Sequence, residues 1–285
     1  MQRDDGQLVL DIERRPPQAV EFQGIRHLLP APDPLLGSSI LPVGVSLSGN
    51  LEYADLSRTE HAHILVAGMT GSGKSEWLRT AIAGLLLTNT PETLRLVLID
   101  PKRNAFHALQ GSPYLWEPVV FPDETPVVDV LRRLCIEMDS RYSRMNGVDN
   151  ISQLAQRTGS PIPRIVCICD EYRDLISRSA KERKAIEAEI SRLGAKARAA
   201  GIHLVLATQE PSRSTLTGAI DSNMPARVGL RLAKHLESQM LLQQSGAEKL
   251  LGNGDLLFKD TRPPLRLQAP YLNEEERLQI YRRQE

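Results

Sequence analysis

The segment that most limits what this chain can become spans residues 63–87, where an apolar run, HILVA, leads directly into GMTGSGKS and then into a stretch of helical spacing. Residues 68–75 fill every fixed position of the pattern G-x-x-x-x-G-K-S, and the flanks are the strand and helix that such a loop requires. Glycines at these positions let the backbone curl, so that successive N–H groups and a helix N-terminus face an anion. The spacing predicts a phosphate cradle made by Gly68, Thr70, Gly71, Ser72, Gly73, Lys74, Ser75 and Glu76. Lys74 is expected to reach the outer phosphates of a nucleotide, and Ser75 to offer its hydroxyl to Mg²⁺. A plain glycine-rich turn is the competing reading, and the filled motif in the right context argues against it.

Beyond this loop, short β-branched runs alternate with longer amphipathic stretches. Strands are expected at 94–100, 118–121, 164–171, 203–209, 226–232 and 255–258. Helices are expected at 74–87, 126–145, from 172 to about 200, and near 235–244, with a loop over 146–163. This alternation predicts an α/β fold with a mainly parallel central sheet covered on both faces by helices. Ile186, Ile190, Leu193 and Ala197 mark the buried stripe of the long helix. Residues 1–60 carry Pro16, Pro17, Pro30, Pro32, Pro34 and Pro42 and read as a short Pro/Gly-rich N-terminal arm or vestigial cap, with at most brief strands such as 42–47. The expected division is therefore an arm at 1–60, an ATPase domain at 61–270 and a charged tail at 271–285.

The 35 basic and 35 acidic residues cancel, so any polyanionic partner has to be met by a local patch. Cys135, Cys167 and Cys169 read as buried, reduced thiols. The longest apolar stretch, around 81–87, falls far short of the ~20 residues of a membrane helix, and the start MQRDDGQLVLDIERRPP has no signal-peptide core. A cytoplasmic protein with no membrane span of its own is expected.

Hydrolysis needs a carboxylate for the metal and a group to handle the attacking water. RIVCICDEY supplies both: Asp170, ending a buried strand, is suited to hold Mg²⁺, and Glu171, facing the other way, is suited to act as general base. Thr208 and Gln209 end a further strand at the same edge of the sheet, where Gln209 could sense the γ-phosphate. An Asp-Glu pair with strands lying between the two motifs resembles the RecA-like ATPases.

The longer segments VAGMTGSGKS, LIDPKRNAF, EMDSRYSRM, IVCICDEYRDLI, AKARAAGIHLVLATQEPS, TGAIDSNMPARVGL and SGAEKLLGNGDLLF resemble, in order and spacing, the FtsK/SpoIIIE DNA translocases over roughly residues 40–260. The resemblance implies a RecA-like motor domain, an ATP-driven homohexameric ring, and double-stranded DNA passing through its centre. It assigns the ATP site to Gly73, Lys74, Ser75, Asp170, Glu171 and Gln209, and makes Arg227, then Arg231, the candidate acting in trans on the transferring phosphoryl group. Such an arginine is worth ~10³-fold or more in rate. Two departures stand out: relatives usually read ATQRPS where this chain has Glu210, and commonly DSRT where it has Glu237, Ser238 and Gln239.

DNA contacts are expected from the segments after the two central strands. The first brings Arg173, Arg178, Lys181, Arg183 and Lys184 together, and the second carries Arg213, Ser214, Thr215 and Thr217. Cations and hydroxyls there would contact phosphates without reading bases, giving salt-sensitive binding. Aromatic residues make up only 4% of the chain, which argues against single-strand recognition by stacking. Membrane spans and a DNA-orientation-reading domain, present in the family's long chains, are not expected, so a separate anchoring or recruiting protein is. The competing readings are a coupling ATPase for protein secretion and a nucleotide-gated scaffold that does not translocate.

Overall fold

The computed structural model describes residues 2–4, 7–9 and 19–282. The N-terminal part contains β1 (Gln2–Asp4), β2 (Gln7–Val9), β3 (Val20–Glu21), α1 (Phe22–Ile25), β4 (Ile40–Val45) and β5 (Leu51–Asp55). The motor core follows as β6 (Ile64–Ala67), α2 (Lys74–Leu87), β7 (Leu94–Ile99), α3 (Val127–Arg144), α4 (Ile151–Thr158), β8 (Arg164–Cys169), α5 (Tyr172–Ile176), α6 (Ala180–Lys196) and β9 (Ile202–Thr208). It closes with α7 (Gly218–Asn223), β10 (Ala226–Leu230), α8 (His235–Leu242), β11 (Asp255–Lys259), β12 (Leu265–Gln268), β13 (Pro270–Tyr271) and α9 (Glu274–Tyr281).

One nine-stranded sheet runs in the order β5-β4-β12-β11-β10-β6-β9-β8-β7. The five strands from β10 to β7 are mutually parallel. The other four extend the sheet antiparallel from β10. The sheet is thus mixed, and the expectation of a mainly parallel one holds only for the half that carries the motifs. Sequence patterning undercounts the antiparallel half because Pro42 and Gly44 interrupt β4, whose register against β5 shifts between these two residues.

Alternation along the strands decides what covers each face. Ile64 and Val66 of β6, and Leu94, Leu96 and Leu98 of β7, enter the core beneath α2. Leu65, Ala67, Val97 and Ile99 face the opposite core, together with residues of α3, α5 and α6. Every residue of β6, β8 and β9 is buried, as strands sandwiched between helix layers must be. The stripe Ile186, Ile190, Leu193 and Ala197 is buried as expected.

Several expected boundaries shift. Residues 40–55 form β4 and β5 of the same sheet as the core, so no separate body ends at residue 60. The Pro16-Pro17 pair and residues 283–285 lie outside the described residues. In the supposed tail, α9 buries Ile280 and Tyr281 against α2, with the Tyr281 hydroxyl donating to the Arg79 carbonyl at 2.9 Å. The run 118–121 forms no strand; Val120 makes only a single bridge to Ile99. The expected loop 146–163 contains α4, whose N-terminus is capped by Asn150 Oδ1 accepting from Gln153 N at 3.0 Å. The expected single helix after residue 172 is two, because Ser179 caps a fresh start: its Oγ accepts from Glu182 N at 3.1 Å.

The parallel strands place the site. β6 lies between β9 and β10, and the chain leaves it toward β7 on one side and returns to β10 on the other. The carboxyl ends of β6, β8 and β9 therefore meet at a reversal of strand order, the place where open α/β sheets bind ligands.

Candidate active site

The loop between β6 and α2 is held from three sides by backbone hydrogen bonds. Gly68 N donates to Thr208 O at the end of β9 (3.2 Å), Met69 N to Arg231 O beyond β10 (2.9 Å), and Gly254 N to Ser72 O (2.9 Å). Gly73 has φ +99°, and a Cβ there would lie 2.7 Å from Gly254 N, so only glycine fits this turn. Gly71 is also left-handed, with φ +79°. As N-cap of α2, Gly73 has no side chain to satisfy the first helical N–H groups. The Ser72 hydroxyl is buried with no hydrogen-bond partner among the described residues. An uncapped helix start, an orphan hydroxyl and a loop clamped by three neighbours together fit a bound phosphate.

Lys74 is buried, and its Nζ donates to Asp170 Oδ1 (2.8 Å) and to Asp170 O (2.6 Å) at the end of β8. Asp170 and Ser75 stand on facing elements at this edge, the residue types that hold Mg²⁺ in such a loop. Glu76, also expected in the cradle, has its side chain paired with Arg79. Thr70 Oγ1 donates to Gln209 Oε1 at 3.3 Å, joining the loop to the end of β9.

Glu171 is buried beside this pair. Its Oε1 accepts from Thr208 Oγ1 (2.9 Å) and Gln209 N (3.1 Å). Its Oε2 is buried without a hydrogen bond among the described residues, and Lys102 Nζ approaches it to 3.5 Å. One carboxylate oxygen is thus fixed while the other is left for a proton. Lys102 escaped the sequence reading as a site residue, although LIDPKR ends the strand neighbouring Asp170 and could have signalled it.

The expected DNA segments do converge. Arg173, Arg178, Arg183, Ser214 and Thr215 line a cleft of about 530 Å³ between α5, the start of α6 and the turn at 212–215. Arg183 donates to Ser214 O at 2.6 Å, and Arg178 to Pro122 O at 2.9 Å, so both are oriented by backbone carbonyls. Lys181, Lys184 and Arg213 are exposed beyond the residues lining the cleft, and Thr217 stands at the start of α7. Glu210, outside the residues lining the cleft, forms an ion pair with Arg173 of the cleft wall.

Arg227 sits elsewhere. It is 5% exposed, donates to Leu241 O (2.8 Å) and Asp221 O (3.0 Å), and pairs with Asp221 Oδ1 at 2.7 Å. The guanidinium is therefore occupied by contacts within its own chain in this conformation. Arg231 is exposed and lies beside its own phosphate loop, donating to Leu251 O at 3.4 Å. Glu237 and Ser238 have local duties: Glu237 Oε2 accepts from Ala233 N and Lys234 N at the start of α8, and Ser238 Oγ accepts from Ala247 N. Burial pushes the Cys135 and Cys167 thiols up to about 12 and raises Cys169 well above its ordinary value, so all three stay protonated.

A glycine loop between strand and helix, an Asp-Glu pair ending a neighbouring parallel strand and a polar end on the next define a P-loop ATPase of the α/β class. A sequence model of the FtsK/SpoIIIE family matches residues 37–162 and 147–213, and the chain belongs to that family. It is 37% identical to the DNA translocase FtsK of Lactiplantibacillus plantarum, over 82% of this chain and 30% of that protein. Its identity to the DNA translocase FtsK of Rickettsia typhi is also 37%, over 95% of this chain and 41% of that one. The chain thus spans well under half the length of these relatives. Among solved structures it is similar to the pCW3 conjugation coupling protein TcpA in its monomer form with ATPγS, with a TM-score of 0.71 and 25% identity over 85% of this chain and 70% of that one. The cytoplasmic domain of the Thermomonospora curvata type VII secretion ATPase EccC shares the fold, with a TM-score of 0.80 at 24% identity, over 94% of this chain and 34% of that one.

Proposed function

We propose that this chain is the motor domain of an ATP-driven translocase that moves double-stranded DNA, working as a ring-shaped homohexamer in DNA segregation or transfer. The observation that carries the reading is the shared chain between the basic cleft and the catalytic acid. Arg173 follows Glu171 by two residues, and Ser214 follows Gln209 by five, so both walls of the cleft are rooted in the groups that hold Glu171. Family membership and the relatives named DNA translocase support the same substrate.

The chemistry follows from the residues. The loop N–H groups and Lys74 bind and orient the nucleotide phosphates. Ser75 and Asp170 would hold Mg²⁺, which supplies charge neutralisation on the phosphates. Glu171 takes a proton from the attacking water on Oε2, the new P–O bond forms at the γ-phosphorus, and the β,γ-bridging bond breaks with its electron pair leaving on ADP. Gln209, tied to both Thr70 and Glu171, is placed to report the outer phosphate to the cleft. No helix among the described residues is long and apolar enough to cross a membrane.

The test is steady-state ATP hydrolysis without DNA, with single strands and with linear duplex, at low and moderate salt. Duplex should stimulate most, and the effect should fade as salt rises. Glu171→Gln should keep nucleotide binding and abolish turnover. Hydrolysis indifferent to duplex would overturn the DNA reading in favour of a protein substrate.

A further inference from the structure

Glu210 is out of place on an arginine that lines the basic cleft, because a carboxylate there repels the phosphates that the cleft would hold. Its partner explains it. The Arg173 guanidinium pairs with Glu210, and both side chains are 48% exposed, so the pair lies where a polyanion can reach it. The same two residues close a ring of contacts with the catalytic acid. Glu210 N donates to Thr208 Oγ1 at 3.4 Å, Thr208 Oγ1 donates to Glu171 Oε1 at 2.9 Å, and the chain returns from Glu171 to Arg173 through the first residue of α5.

We propose that Arg173 and Glu210 form a phosphate-operated latch that positions Glu171, making Arg173 both a DNA contact and the residue that reports that contact to the ATPase site. A duplex phosphate offers Arg173 a doubly bonded partner in place of Glu210. The released Glu210 then faces that phosphate with like charge, and the segment 208–210 moves away from it. That movement loosens the two hydrogen bonds on Glu171 Oε1, and the carboxylate turns toward the water. Exposed ion pairs are weak, which suits a latch that a phosphate must open, and the bias it places on turnover is roughly two- to five-fold. The identity of the opener rests on the duplex-DNA reading, whereas the hold on Glu171 rests on the contacts alone.

The test compares DNA-free ATP hydrolysis of the native chain with Glu210→Gln, Arg173→Gln and the exchanged pair Arg173→Glu with Glu210→Arg. The two single variants should raise the DNA-free rate two- to five-fold, and Glu210→Gln should leave the duplex-saturated rate unchanged. The exchanged pair should return the DNA-free rate to the native value, which a merely structural role does not predict. DNA-free rates that are equal in native and single variants, or that stay high in the exchanged pair, overturn the latch. Fluorescence anisotropy of labelled duplex with the native chain judges the opener separately: absent binding removes DNA while the DNA-free rates still decide the latch.

Discussion

Replacing Lys74 or Asp170 singly should damage the fold far more than replacing both. The two side chains are 4% and 6% exposed and share a 2.8 Å bond, so either variant leaves a charge inside the protein without its counter-ion. Breaking a buried pair from one side costs about 3–5 kcal/mol, whereas removing both charges is often nearly neutral. Lys74→Met strands the Asp170 carboxylate. Asp170→Asn strands the ammonium, with the Asp170 carbonyl at 2.6 Å as its remaining acceptor. The double variant should recover most of the loss, giving a coupling of about 3 kcal/mol. Urea unfolding followed by tryptophan fluorescence reads this directly, because Trp77 is buried on the same helix one turn beyond Lys74.

A nucleotide titration adds a second axis to the same cycle. ATP with Mg²⁺ at a hundred times its dissociation constant should stabilise the native chain by about 2.7 kcal/mol. The double variant should fold well and gain nothing, since Lys74 and Asp170 are the groups its phosphates and metal would take. Single-variant losses that simply add, within about 0.5 kcal/mol, would refute the view that these two charges neutralise each other.

Two further outcomes follow from buried groups away from the phosphate loop. Arg227→Ala removes two carbonyl contacts from a buried guanidinium and an ion pair whose Asp221 side is half-exposed, so it should cost about 2 kcal/mol and lower the thermal midpoint by ~5 °C; an unchanged midpoint with lost hydrolysis in the assembled protein would instead support it as a trans-acting arginine. Burial holds the His63 imidazole down to about 4 and His203 well below its usual value, so the unfolded chain binds more protons between pH 4 and 6.5. Stability should therefore be full above pH 6.5 and fall as pH drops toward 4, with His63 alone removing about 2 kcal/mol at pH 5; urea midpoints that do not fall between pH 7 and pH 5 would contradict this.

The nucleotide site was readable because its physics is local. A phosphate cradle needs glycines at fixed intervals between a strand and a helix, and the consecutive residues 68–75 declare it. Asp170 and Glu171 were readable for the same reason, ending an apolar run of β-branched residues. What the sequence hid depends on which segments meet in space. Lys102 reaches Glu171 only because β7 pairs with β8, and Gly254 clamps Gly73 across about 180 residues of chain. The antiparallel half of the sheet was hidden because β4 contains a proline and a glycine, and because the hairpins it shares have no motif of their own. Arg227 lies in the apolar run ARVGL, whose strand pattern gives no sign that Asp221 and the Leu241 carbonyl enclose its guanidinium.

The departures at Glu210, Glu237 and Ser238 look, in sequence, like a loss of cations near the catalytic centre, and the structure gives each a different meaning. Glu237 and Ser238 satisfy backbone groups around α8, so their exchange leaves the phosphate loop's own contacts intact. Glu210 is different, because its carboxylate is matched by Arg173, 37 residues earlier in the chain. The cation of this region therefore sits on the Glu171 side of the cleft, two residues along the chain from that carboxylate. Lys74 on Asp170, Lys102 on Glu171 and Arg173 on Glu210 form three cation–carboxylate pairs of decreasing burial, from the phosphate loop out to the cleft. Phosphates arriving from either direction must take a cation from one of these carboxylates. On the proposed reading, nucleotide would enter at the most buried pair and DNA at the most exposed one, with Glu171 between them. Such an order lets a weak, salt-sensitive contact at the surface bias a strong and well-shielded one inside without competing with it for the same lysine.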